Sequence, residues 1–444
     1  MSVGTWQQGE RRSGRRLCLP VLVALAWFVV TVGTAQASPD PGLDAYLESQ
    51  MEKARVPGLQ AVIVKHGQIV WSSAYGWAHI ADGVPMTNDT MINIASISKT
   101  AVGVSLMQQV ERGNLALSDD VSSALGWTAR NARFPDTPVT LKMLATHTSS
   151  ANDTDAVWDL GVFDRGDSPI PLDTFCRGYF IRTGAYWDRS NWTKREPGTR
   201  FTYSNTGAAL CADAIEQSTG RDFNEYCQAE IFTKLGMVDT SFRYADLDLE
   251  RMAMPYCYKR GEYQAQGHHA YPEYPSGSVH TTANQWAKFA LALLGDGAYR
   301  QQRILETGSL VEMLSPQIPA GVEPGCGLFA FGDDELVPGR TVWGHDGGDY
   351  GIFSEMWLDL ERDEGVIMFA NGEPPSERAE DAWLAMIPRL FEKADSIVAG
   401  QASAAKSAAG PTTGIIAAVV VVVAVVIVIV VVLVRRARPG PVEE

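Results

Sequence analysis

The sequence predicts an α+β fold in which an antiparallel sheet, built from both ends of one domain, is flanked by helices and encloses a mostly helical central subdomain. Three observations carry that prediction. Near the start, two apolar runs, Leu59 to Val64 and Ile69 to Tyr75, are joined by a turn at His66-Gly67, which is a β-hairpin pattern. Near the end, Ile352 to Leu360 and Val366 to Ala370 flank a five-residue turn, Glu361 to Gly365, in the same way. Between them, up to about residue 250, helical spacings and loops dominate. Strands at both ends with helices between imply a cleft where the two parts meet.

In chain order, Leu43, Tyr46, Leu47 and Met51 recur at helical spacing and stop at Pro57-Gly58. After the first hairpin, Ile97, Ala101, Val104, Met107 and Val110 give a helix over Ser96 to Arg112, with Gly113 as its C-terminal stop. Further helical patterns lie at Leu141 to Thr146 and Ala208 to Gln217. A last one, with Ala379, Trp383, Met386, Leu390 and Phe391, is interrupted by Pro388.

Both ends of the 444-residue chain depart from ordinary globular composition. Arg11, Arg12, Arg15 and Arg16 precede an apolar run from Leu17 to Val32 and an Ala35-Gln36-Ala37 site, which reads as a signal peptide over 1–37 or, alternatively, an uncleaved signal anchor. Ile415 to Val434 is apolar throughout and long enough to cross a bilayer as a helix. Arg435, Arg436 and Arg438 follow it and mark the cytoplasmic side. The expected organisation is therefore one globular domain at 38–395, a flexible stalk rich in Ala, Ser, Gly and Thr at 396–414, a transmembrane helix at 415–434 and a tail at 435–444. Such a chain would be a single-pass type I membrane protein, its domain outside the cytosol and the membrane a partner through the C-terminal helix.

A net charge of −15 excludes the basic stripe of a nucleic-acid binder. Removing the leader leaves Cys176, Cys211, Cys227, Cys257 and Cys326. An oxidising compartment permits disulfides, the odd count leaves at least one thiol over, and buried unreactive cysteines are the default. No C-x-x-C pair suggests a metal site. Sequons stand at Asn88, Asn152 and Asn191.

Three short motifs carry chemistry. Ser96-Ile97-Ser98-Lys99 places a hydroxyl and an amine three residues apart on one helix face, close to the free N–H groups of a helix start. A partly buried lysine can lose its proton and act as a base. Alone, the motif also fits an N-cap serine with a solvated lysine, and Ser403 to Lys406 has the same form. Tyr203-Ser204-Asn205 precedes a helical run and brings a phenol to share a proton with Lys99, and an amide for Lys99 or a substrate. Trp343-Gly344-His345-Asp346-Gly347-Gly348 offers glycines that admit a substrate backbone at Gly347, and a histidine expected to face the cleft. Lys65-His66-Gly67 and Lys259-Arg260-Gly261 rank below it.

In this order and spacing the motifs resemble the penicillin-recognising serine hydrolases, with Y-x-N for S-D-N and H-x-G for K-T-G. The pattern is similar to the branch that includes class C β-lactamases, DD-peptidases and related esterases. Leu144 to Ser149, Pro197-Gly198 with Phe201, Leu235 to Phe242 and Ser276-Gly277-Ser278 match as well. The resemblance implies a β-lactamase/DD-peptidase-like fold over nearly all of residues 40 to 395. It also implies Ser96 as nucleophile, Lys99 and Tyr203 as the proton-transfer pair, Asn205 and His345 as substrate contacts, and the N–H groups of Ser96 and Gly348 as the oxyanion hole.

Two departures stand out. Ser150 replaces the usual glycine after His147-Thr148-Ser149, and His345 replaces a lysine that binds a substrate carboxylate. A histidine is only partly charged near neutral pH, which favours peptides, amides or esters over β-lactams. The expected function is a serine hydrolase acting on amide or ester bonds of a small-molecule or peptide substrate, without metal or organic cofactor. The alternative is a catalytically weak or inactive cell-surface binding protein on the same fold.

Overall fold

The computed structural model of the chain describes residues 40–161 and 166–397. Its main sheet contains β1 (Gly58–Lys65), β2 (Gln68–His79), β3 (Val84–Pro85), β4 (Phe331–Asp333), β5 (Val342–Asp349), β6 (Ile352–Asp359) and β7 (Glu364–Ala370). Their order is β4-β5-β6-β7-β1-β2-β3, antiparallel throughout. The two ends of the domain meet where β1 pairs β7, with Leu59 opposite Ala370 and Lys65 opposite Glu364. This is the sheet expected from the two hairpins.

Each face of the sheet is covered, which explains why β1 reads as an unbroken apolar run rather than an alternation. Successive side chains of a strand point to opposite faces. Val62 and Val64 join the core beneath the central helices, while Leu59, Ala61 and Ile63 join a second core on the other face. Six helices frame the sheet and the cleft: α1 (Pro41–Ala54), α2 (Lys99–Glu111), α3 (Asn205–Thr219), α4 (Ala283–Leu294), α5 (Glu377–Leu384) and α6 (Met386–Ser396). Leu43 and Leu47 of α1, Trp383 of α5 and Leu390 of α6 fill the second core. Gln60 is the fully buried polar residue on β1, its amide donating to Thr87 O and Thr90 O, both at 2.6 Å.

The last helical pattern is two helices, broken at Ala385 rather than at Pro388. Pro388 lies in the first turn of α6, where a missing N–H costs no internal hydrogen bond. Helix α6 extends through Ser396, and Asp395 pairs with Arg340, so ordered structure reaches slightly past the expected end of the domain. All of the motif Trp343 to Gly348 lies within β5. Its two K-x-G rivals are hairpin turns, with positive φ at His66, Gly67, Arg260 and Gly261.

The expected membrane localisation is corrected: among the described residues no helix is long and apolar enough to cross a membrane. The leader at 1–37, the apolar run at 415–434, the tail at 435–444 and nearly all of the stalk, Ser403 to Lys406 included, lie outside the described residues. All five cysteines at 176, 211, 227, 257 and 326 are free thiols and buried. Asn191 is also buried, its amide donating to Tyr179 O and Tyr186 O at 2.9 Å each, so in the folded domain this sequon supplies a structural amide.

Candidate active site

Ser96 stands on a 3₁₀ turn, Ala95–Ser98, that runs directly into α2. Three bonds pin the turn. Asn93 Oδ1 accepts from Ala95 N at 2.6 Å, Ser98 Oγ accepts from Val279 N at 3.0 Å, and Ser354 Oγ donates to Ile94 O at 2.8 Å. Ala95 has φ of 45°, a left-handed conformation that costs a residue with a Cβ about 1–2 kcal/mol. Within the turn, Ser96 alone retains solvent exposure.

Lys99 is fully buried beneath it. Its ammonium position has three acceptors: Ser96 Oγ at 3.0 Å, Asn205 Oδ1 at 2.7 Å and the carbonyl of Ser276 at 2.6 Å. Burial lowers its pKa to about 7, against the opposing pull of Asp153, Asp346, Glu273 and Asp349. Asn205 opens α3, where Ser204 is the N-cap and accepts from Gly207 N at 2.9 Å.

Tyr203 meets Lys99 through its ring face, 4.9 Å from Nζ, not through its hydroxyl. That differs from the phenol–amine contact expected from sequence. The hydroxyl is buried with no partner of hydrogen-bond geometry among the described residues, although Ser96 is close enough to ease its ionisation. Burial dominates and raises its pKa well above the ordinary value. The phenol is therefore held protonated.

On β5, His345 is 1% exposed and lies under the cleft surface, edge-on to Phe331 at 5.1 Å and to Tyr203 at 6.1 Å. Its Nδ1 donates to Asp346 O at 2.5 Å. The expectation that His345 faces the cleft is corrected accordingly: strand alternation turns it inward and presents Asp346 instead, with 63% of its side chain exposed. Gly347 is likewise turned inward. A Cβ there would lie 2.3 Å from Ser354 Oγ, 2.6 Å from Ile94 O and 3.1 Å from Ser96 N, so the close approach at this glycine is made by the Ser96 turn. Gly348 is exposed and, with Ser96, Tyr203, Phe331 and Asp346, lines an open cleft of about 440 Å³. Short β4 pairs only with Val342 to Gly344, leaving the edge of β5 from His345 onward open on that side.

Three residues of the site were not singled out from sequence. Asp153 accepts from Asn205 N at 2.7 Å, Thr206 N at 2.9 Å, Thr206 Oγ1 at 2.8 Å and Ser204 Oγ at 3.1 Å, closing the start of α3. His147 stacks on Tyr203 at 4.4 Å, and its Nδ1 accepts from Ser204 N at 3.2 Å. Burial, then Lys99 and His345, holds its pKa well below the ordinary value. Glu273 is buried, and desolvation keeps its carboxyl well above the usual range. Only His147 had a local signal, the His147-Thr148-Ser149 stretch itself. Ser150, after that stretch, has φ of 63°, which accounts physically for a glycine preference there, and its Oγ accepts from Asn131 Nδ2 at 3.0 Å. Among the described residues no group of three or more His, Cys, Asp or Glu side chains is placed to hold a metal ion.

Comparison with known proteins agrees with this architecture. The beta-lactamase family model matches residues 43–388. Esterase EstB of Burkholderia gladioli is 32% identical over 219 residues, 48% of this chain and 54% of its own length. Protein flp of Staphylococcus aureus (strain N315) is 24% identical over 48% of this chain and 40% of its own. The chain thus spans about half, or less, of those two relatives. The D-alanyl-D-alanine-carboxypeptidase/endopeptidase AmpH of Escherichia coli (strain K12) is 23% identical over 81% of this chain and 92% of its own.

Solved structures share the fold. The D-amino acid amidase of Ochrobactrum anthropi SV3 has a TM-score of 0.61 at 21% identity, covering 80% of this chain and 99% of that one. A class C beta-lactamase has a TM-score of 0.62 at 17% identity, covering 79% and 94%. By its sheet, its helical subdomain and a family match over most of its length, this chain belongs to the beta-lactamase family.

Proposed function

We propose that the chain is a serine hydrolase that cleaves amide or ester bonds through an acyl-enzyme on Ser96, peptidase- or esterase-like rather than a dedicated β-lactamase. The observation that carries this reading is the set of partners around Lys99. Two of them, Asn205 Oδ1 and Ser276 O, are carbonyl oxygens that only accept. A neutral amine has two N–H groups to give them and one lone pair left. That lone pair faces the remaining partner, the Ser96 hydroxyl, which alone of the three can donate a proton.

In the proposed reaction Ser96 Oγ bonds to the substrate carbonyl carbon as its proton passes to Lys99 Nζ. The N–H groups of Ser96 and Gly348 receive the developing oxyanion. The proton taken up by Lys99 then reaches the departing alcohol or amine, whose oxygen or nitrogen is met by the protonated and otherwise unpartnered Tyr203 hydroxyl as the second member of the pair. Water then attacks the acyl-enzyme, losing its proton to the same pair, and releases acid and free Ser96. Asn205 orients Lys99 and meets substrate at the cleft floor. Because His345 lies beneath the surface and Asp346 occupies the rim, the site offers a poor seat for the carboxylate of a β-lactam.

Turnover of neutral esters, D-amino-acid amides and nitrocefin tests the reading. Ester or amide cleavage that disappears in Ser96→Ala, with slow nitrocefin turnover, is expected. Turnover persisting in Ser96→Ala refutes it.

A further inference from the structure

The cleft that holds Ser96 carries one charged side chain on its wall, Asp346. Among the described residues no lysine or arginine pairs with it. Its ionic neighbour is His345 Nδ1 at 3.4 Å, and that nitrogen is already engaged with the carbonyl of Asp346 at 2.5 Å. The carboxylate therefore reaches solvent on the open edge of β5 without a lysine or arginine in contact, its charge favoured by His345 and, at longer range, by Lys99. Phe331 and Tyr203 supply aromatic walls in the same space, and the Tyr203 hydroxyl is buried and unpartnered beside it. A carboxylate beside an aromatic ring attracts a cation through its charge and through Phe331, since the Tyr203 ring already meets Lys99 and His147. Asp153 and Asp349 also bear on the site, so with Asp346 the carboxylates around Lys99 outnumber it.

Resting on the reading of Ser96 as the acylated residue, we infer that this hydrolase selects substrates bearing a cationic group, an ammonium or guanidinium, near the scissile carbonyl, with Asp346 as the specificity-determining residue. Strand alternation produces this selectivity. Had the motif shifted by one position, the imidazole would line the cleft and the carboxylate would be buried. A substrate carboxylate would meet like charge at Asp346, which adds repulsion as a second source of discrimination.

The test uses three p-nitrophenyl esters of equal acyl length, ending in a methyl, a carboxylate or a trimethylammonium group. At low ionic strength the wild-type protein should prefer the cationic over the neutral ester by about 5- to 20-fold in kcat/KM, the range of a partly exposed ion pair plus a cation–π contact. The anionic ester should be slowest. The preference should shrink with added salt and fall to within roughly 2-fold in a folded Asp346→Asn protein once the charge is gone. Ser96-dependent turnover with no cationic preference, or with a preference unchanged in Asp346→Asn, overturns this inference and leaves the serine hydrolase reading intact. Absence of turnover on all three esters, or turnover that survives Ser96→Ala, removes both.

Discussion

Lys99 Nζ lies 3.0 Å from Ser96 Oγ, and its two other bonds, to Asn205 and Ser276, are both shorter and both end on carbonyl oxygens. Burial brings its pKa down to about 7. With the neutral amine as the proposed base, kcat/KM on a neutral ester should rise with pH through about 7 and then level. Lys99→Arg, always charged, should lose about 10³-fold or more with Ser96 still present. A profile falling with pH over this range would contradict the assignment of Lys99 as base.

Asp153 receives four hydrogen bonds from the start of α3, one of them from the backbone of Asn205. Asp153→Ala should cost about 2–3 kcal/mol in denaturant unfolding, from unsatisfied donors at a helix N-terminus. It should also lower kcat about 10-fold or more by releasing Asn205 from Lys99. An unchanged pH profile inflection near 7 in this variant would show that Asp153 does not hold the Lys99 environment.

Gly347 and Gly348 are adjacent but face different surroundings. A methyl at Gly347 meets the Ser96 turn, whereas one at Gly348 meets only Phe353 ring atoms at 3.6 Å and beyond. Gly347→Ala should destabilise by about 1–3 kcal/mol through overpacking, while Gly348→Ala should stay within about 0.5 kcal/mol. Thermal unfolding of the pair checks this, and equal losses would contradict it.

Glu355, opposite Asp346 across the strands, is buried where it accepts from Trp357 Nε1 at 2.7 Å and Trp383 Nε1 at 3.0 Å. Burial, reinforced by Asp346, raises its pKa to about 8. An unfolded glutamate titrates near ~4.3. Between those values the folded chain keeps a proton that the unfolded chain releases, so stability falls as pH rises, by up to about 1.4 kcal/mol per unit from this group. Glu355→Gln removes that slope, yet sets an amide N–H against an indole N–H at a cost of about 1–3 kcal/mol. Denaturant curves should show the wild type ahead at pH 5 and its lead reduced at pH 8 to 9. Parallel stability profiles would disprove the buried-acid account.

What was legible in the sequence is what is local in the chain. Ser96 and Lys99 sit three residues apart on one turn, and each hairpin is marked by its own apolar runs and turn residues. One sheet built from both ends was expected from the strand patterns there, whereas the particular pairing of β1 with β7 depends on contacts far apart in the chain. Asp153 and Glu273 were not legible, because two carboxylates among 52 acidic residues carry no mark until the fold brings them to α3 and Lys99. His345 was found, but with the wrong orientation, since its face depends on how β5 lies against the Ser96 turn. The phenol of Tyr203 was brought to the site, while the tilt that sets its ring rather than its oxygen against Lys99 comes from stacking on His147, far away in sequence.

The proposed role of Ser96 as nucleophile is tested most directly by covalent labelling, since a fluorophosphonate loses fluoride and leaves its phosphonyl group on a reactive serine oxygen. After treatment with a fluorophosphonate, intact mass should increase by one adduct, and peptide mapping should place it on the Ser96 oxygen. Ser96→Ala should take up none, and Lys99→Arg should label far more slowly. An adduct mapped to any other residue, or labelling undiminished in Ser96→Ala, would contradict the account.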